Sequence, residues 1–116
     1  MPKDGKTLAD KMKKSNSELG QYIRNLRTEK KETLHDVSKG TDIDSPLLSK
    51  IERGVRLPTE EQINKLSEYF KLDESDLKVM VMAEKIIKDY GINNTTYDAV
   101  RKVEEQIIPY LIGKKK

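Results

Sequence analysis

The residues best suited to chemistry lie in one stretch, Asp44-Ser45-Pro46-Leu47-Leu48-Ser49-Lys50-Ile51-Glu52-Arg53-Gly54. Leu47, Leu48 and Ile51 are spaced to form one apolar face of a short helix. Ser45, Pro46, Ser49, Lys50 and Arg53 point elsewhere. Asp44 or Ser45 is suited to cap the N-terminus, and Pro46 is tolerated in a first turn, where its missing N–H is no loss. Gly54 sits where a helix ends in a left-handed residue. The outward face is small, polar and cation-bearing. Such a face fits the major groove of DNA, which admits a helix and is read by hydrogen bonds to base edges. Periodicity alone is equally satisfied by a short helix that only packs.

Catalytic and metal chemistry have little to work with. The single histidine, His35, is expected on the surface of a helix. A metal site needs three or four converging ligands, and no spacing here supplies them. The acid pairs Glu60-Glu61 and Glu104-Glu105 are adjacent in sequence, so on helices they face different ways. There is no glycine-rich phosphate loop and no nucleophile motif. The expectation is a protein without enzymatic activity, metal or cofactor.

Local signals divide the chain into helices. Ser15 through Glu18 reads as a capping box, followed by Leu19, Tyr22, Ile23 and Leu26 at helical spacing to about Lys30. Thr33 through Asp36 opens a second helix, with Leu34, Val37 and Ser38, expected to end at Gly40. Gly40 through Ile43 is then the turn before the helix with the polar face. Thr59 through Gln62 is another capping box, preceding Ile63, Leu66, Tyr69 and Phe70. Asp73 or Ser75 opens the next helix, whose apolar positions include Leu77, Met80, Val81, Ile86 and Ile87. Gly91 ends it. Thr95 through Asp98 caps a last helix bearing Tyr97, Val100, Val103, Ile107 and Leu111, which Pro109 is expected to kink or to end near Ile108.

This arrangement resembles the helix-turn-helix of the XRE family, the Cro/CI-type repressors. The resemblance rests on Leu19-Gly20, Ile23-Arg24, Leu26-Arg27, Thr33-Leu34, Val37-Ser38, Ile43, the run from Leu48 to Gly54, Leu57-Pro58, Ile63 and Leu66, and covers about half of the chain. Two positions depart from the family pattern: Ser38 stands where Ala is usual, and Asp42 where Gly is usual. The resemblance implies an all-α fold, a five-helix lambda-repressor-like helix-turn-helix domain followed by C-terminal helices. It implies that Ser45, Pro46, Ser49 and Lys50 contact bases of double-stranded DNA. Phosphate contacts would come from Thr33 with the backbone N–H groups of its helix, and from Arg53 and Arg56. Arg27 would pair with Glu52 inside the domain. The function implied is a sequence-specific transcriptional regulator, a repressor acting as a homodimer on a palindromic operator. The same fold also serves as a protein-interaction module, as in antitoxins and bridging coactivators, whose C-terminal helices would bind a protein partner.

Composition sets the remaining bounds. Charged residues make up 37% and apolar residues 34%, so the core should be small. There is no cysteine. That fits a reducing compartment, and with no signal-peptide core and no membrane-length apolar run it points to a cytoplasmic protein that does not engage the membrane. Net charge is +3 over residues 1–16, +1 over 17–58, −3 over 59–90 and +2 over 91–116. A basic front and an acidic middle suit a protein that presents one side to an anion. Residues 1–14 read as a basic flexible tail, with a phosphate-tracking arm as the alternative. Residues 15–76 form the expected DNA-binding domain, and 77–116 a helical extension. Met80, Ile87, Val100, Val103, Ile107 and Leu111 are expected to hold the homodimer through that extension, because the first domain's core is already supplied by residues before it.

Overall fold

The computed structural model describes residues 17–114, which form six helices and, among those residues, no strand. They are α1 (Glu18–Glu29), α2 (Leu34–Thr41), α3 (Ser45–Glu52), α4 (Glu60–Phe70), α5 (Glu74–Tyr90) and α6 (Asn94–Lys114). The chain divides into two compact units after Lys85. The basic tail of 1–14 lies outside the described residues.

Short polar side chains start the helices. Ser17, not Ser15, caps α1, accepting from the Gly20 N–H at 2.6 Å. Ser15 itself lies outside the described residues. Thr33 with Asp36 and Thr59 with Gln62 form reciprocal capping boxes at α2 and α4. Asp44 caps α3, leaving Ser45 and Pro46 inside the first turn. Asp73 opens α5 by accepting from the Ser75 and Asp76 N–H groups. Asn93 opens α6 by accepting from the Thr96 N–H at 2.9 Å, two residues ahead of the expected Thr95 cap.

One expected helix end is corrected, and of the two alternatives at Pro109 an end near Ile108 is excluded. Gly40 lies within α2, which runs on to Thr41, and the left-handed residue is Asp42 with φ 61°. Gly40 serves packing instead: a Cβ there would overlap the ring of Tyr69 from α4. At the other end of the chain, α6 continues through Pro109 to Lys114. Proline removes one amide donor, and this stretch of helix is exposed, so water is available to the freed carbonyl.

The first unit has one core. Leu19, Ile23, Val37, Ile43, Leu48, Ile63, Leu66 and Leu77 cluster there, and Ile51 is fully buried. α3 packs against both α1 and α2, and α2 packs against α4. Leu26 and Phe70 only flank this cluster, while Leu77 of α5 enters it and is 1% exposed. Met80 and Val81 also pack partly buried against it. The core therefore draws on residues beyond position 76, because the first turns of α5 close it.

Candidate nucleic-acid interface

α3 is held from both sides, and this fixes which of its faces is free. Leu48 and Ile51 are buried at 1% and 0% exposure, whereas Pro46 and Lys50 on other faces are exposed, and Ser45 and Ser49 are half-buried. The structure thus brings Ser45, Pro46, Ser49 and Lys50 onto one short helix whose far side is core.

The turn before α3 is pinned by a residue to which sequence reasoning gave no role. The Thr41 hydroxyl donates to the Val37 carbonyl at 2.7 Å and accepts from the Ile43 N–H at 3.3 Å. Thr41 is buried at 4% exposure. One hydroxyl thereby ends α2 and aims the chain into α3. The usable signal was a threonine just ahead of the left-handed Asp42, since Thr at a helix end bonds back to the carbonyl four residues earlier.

Close backbone approach sets the crossing of α1 and α3. A Cβ on Gly20 would overlap the Glu52 carbonyl oxygen, so the two helices meet where only glycine fits. Gly54, with φ 76°, turns the chain out of α3 against Ser17. Beside this contact the Arg27 guanidinium donates to both carboxylate oxygens of Glu52, at 2.8 and 2.9 Å. It also donates to the Glu32 carbonyl at 3.0 Å. Accepting carboxylate oxygens hold Arg27 above its ordinary range and firmly charged.

The residues expected at phosphates are placed less uniformly. Arg53 and Arg56 are exposed. Arg53 Nε donates to Ser49 Oγ at 3.1 Å, so a residue expected at phosphates and one expected at bases engage each other. A serine hydroxyl that accepts one such bond still has its own O–H to donate. Thr33 is exposed, but its N–H donates to Asp36 and its hydroxyl accepts from the Asp36 N–H. Donation from the Thr33 N–H, and after it the Thr33 side chain, holds the Asp36 carboxyl below the usual carboxylate range. The first-turn donors that helix geometry leaves to an anion at α2 are then the amides of Leu34 and His35.

A further cluster ties the connection between α1 and α2 to α4. The Tyr69 hydroxyl donates to Glu32 at 2.5 Å, and Lys30 lies 4.5 Å over the Tyr69 ring and 3.7 Å from Glu32. The bond to Glu32 pushes the Tyr69 phenol up to about 12.

Among the described residues no group of three or more His, Cys, Asp or Glu side chains is placed to hold a metal ion. No described helix is long and apolar enough to cross a membrane. Of the residues expected to join two copies, Met80 is half-buried against the first core and Ile87 is half-buried, while Val100, Val103, Ile107 and Leu111 are exposed.

Residues 20–79, just over half of the chain, match the model of a family described as a helix-turn-helix domain. No curated protein matches the chain.

Proposed function

Because the chain belongs to the helix-turn-helix domain family, we propose that it is a sequence-specific DNA-binding transcriptional regulator of the XRE type. The reading has it act in the cytoplasm as a repressor, bound as a homodimer to a palindromic operator. In this fold the helix after the turn enters the major groove by its N-terminal part while the one before crosses the backbone. The observation that carries the reading is the division of α3. Leu48 and Ile51 are sealed in the core, and Lys50 with Pro46, Ser45 and Ser49 is left on the outside.

Lys50 would donate to guanine O6 or N7, and Ser45 and Ser49 would exchange hydrogen bonds with base edges. Pro46 has no donor and would touch a thymine methyl or a sugar. Arg53, Arg56 and the first turn of α2 would hold phosphates and set the register. Arg27 and Glu52 take no part in the contact; they keep α3 at its angle. No catalytic step, cofactor or metal is needed for this activity.

A second reading keeps the fold and replaces the second copy with a different protein bound by the C-terminal helices. Its support is that every described side chain of α6 from Tyr97 onward is exposed. A chain that stays monomeric at micromolar concentration would favour it.

Amine acylation with and without duplex DNA tests the DNA-binding reading. Lys50 should be protected by duplex while Lys102, on α6, reacts unchanged. Equal reactivity of Lys50 in both conditions would contradict the reading.

A further inference from the structure

The connection between α1 and α2 carries an acid where DNA binding has least use for one. Glu32 stands one residue ahead of Thr33, the cap of α2, and its side chain is half-buried. The start of a helix is its positive end. A carboxylate beside it is drawn to the same first-turn amides that a phosphate would use, and it repels the phosphate itself. Asp36, on the first turn, is already committed, because it closes the capping box with Thr33. Glu32 is held instead by groups outside α2.

Three contacts hold it. The Tyr69 hydroxyl donates to Glu32 Oε1 at 2.5 Å, and Lys30 Nζ lies 3.7 Å from Oε2. The Arg27 guanidinium donates to the Glu32 carbonyl at 3.0 Å while keeping both of its bonds to Glu52. The backbone at Glu32 is thereby tied to the residue that holds α3. Tyr69 in turn is placed by α2 itself. Its ring occupies the space that a Cβ on Gly40 would need, and it meets Phe70 edge-on at 5.0 Å. The ring thus rests against the far end of α2, and the hydroxyl reaches the residue before its near end.

We propose that Tyr69 is a positioning residue for the phosphate contact of α2: with Lys30 it draws the Glu32 carboxylate toward α4 and off the path of the DNA backbone. The role rests on the DNA-binding reading above and adds the device that keeps an acid from competing with a phosphate. It accounts for the hydroxyl of Tyr69, which packing against Gly40 and Phe70 does not require. Without that hydroxyl the carboxylate keeps only Lys30 and is free to turn toward the amides of Leu34 and His35.

Duplex binding by full-length variants tests it, read by fluorescence anisotropy with a mixed-sequence duplex at about 50 and about 200 mM salt. Tyr69→Phe keeps the ring and removes the hydroxyl. It should weaken binding about fivefold at the lower salt, the effect of one unmasked charge facing a phosphate in each of two copies, and less at the higher salt. Glu32→Gln should change the parent less than about twofold yet restore most of the loss in Tyr69→Phe. Lys30→Gln, with and without Glu32→Gln, repeats the comparison through the second restraint and decides alone should Tyr69→Phe fail to fold. There too Glu32→Gln should help more than it does in the parent. A parent that binds while Tyr69→Phe binds equally well would overturn the role of Tyr69 and leave the DNA-binding reading standing. So would a Glu32→Gln effect that is the same in every background, which is what a purely structural hydroxyl predicts. A parent without salt-sensitive binding would overturn both.

Discussion

Arg27 and Glu52, on helices α1 and α3, form a two-point ion pair at 2.8 and 2.9 Å, with side chains only 14% and 7% exposed. The pair sits beside the contact that Gly20 permits, so charge and close packing fix the same crossing. Removing one member of a buried pair strands the other. Glu52→Ala should cost about 3 kcal/mol of stability in the absence of DNA. Denaturant titration measures it, and a loss below about 1 kcal/mol would show that the pair contributes little.

Tyr69 predicts a pH dependence. Its phenol is pushed up to about 12 by donating to Glu32, against about 10 for an unperturbed tyrosine. The fold thus favours the protonated form. Its contribution is whole below about pH 10 and is lost as pH rises through about 12. The stability gap between the parent chain and Tyr69→Phe should shrink across that window in denaturant titrations. A gap that stays constant to pH 12 would mean that the Glu32 bond does not stabilise the fold.

The two kinds of DNA contact should separate by mutation. Lys50→Ala should cost about 1–3 kcal/mol on the operator and relax preference at one base pair per half-site. Arg56→Ala should weaken operator and random DNA alike and flatten the salt slope by about one unit. Equal loss on both DNAs for Lys50→Ala would make Lys50 a phosphate contact.

How much of this was written in the sequence depends on the range of each signal. Caps and helical periodicity are local, so all six helices were legible, as were the αL-tolerant Asp42 and the left-handed Gly54. Gly40 was misread because the reason for it, the Tyr69 ring, lies 29 residues further along the chain. Leu77 was assigned to the extension because nothing local says that α5 closes the first core. The α3 side chains share a face by spacing alone, whereas the Ser49–Arg53 bond and the Thr41 brace depend on rotamers that no pattern of residue types specifies. The burial of Leu77 also bears on experiment, since a chain ending at Lys71 would lose part of its core.

The dimer reading predicts that a charge on the α6 face separates the copies. Ile107 is 45% exposed, so Ile107→Asp should leave the first unit folded. Light scattering at micromolar concentration should give a dimer for the parent and a monomer for the variant. Losing the second half-site contact should weaken operator binding on the order of a hundredfold. A variant that remains dimeric would place the interface elsewhere.

Selection of duplexes from a random-sequence pool by the full-length chain, followed by mobility shift with the winners, tests the central claim most directly. The predicted result is enrichment of one two-fold-symmetric site, with half-sites about 10 base pairs apart or a multiple of that. Lys50→Ala should then lose that preference. A pool that emerges unenriched, bound only in a salt-sensitive and sequence-independent way, would contradict the account.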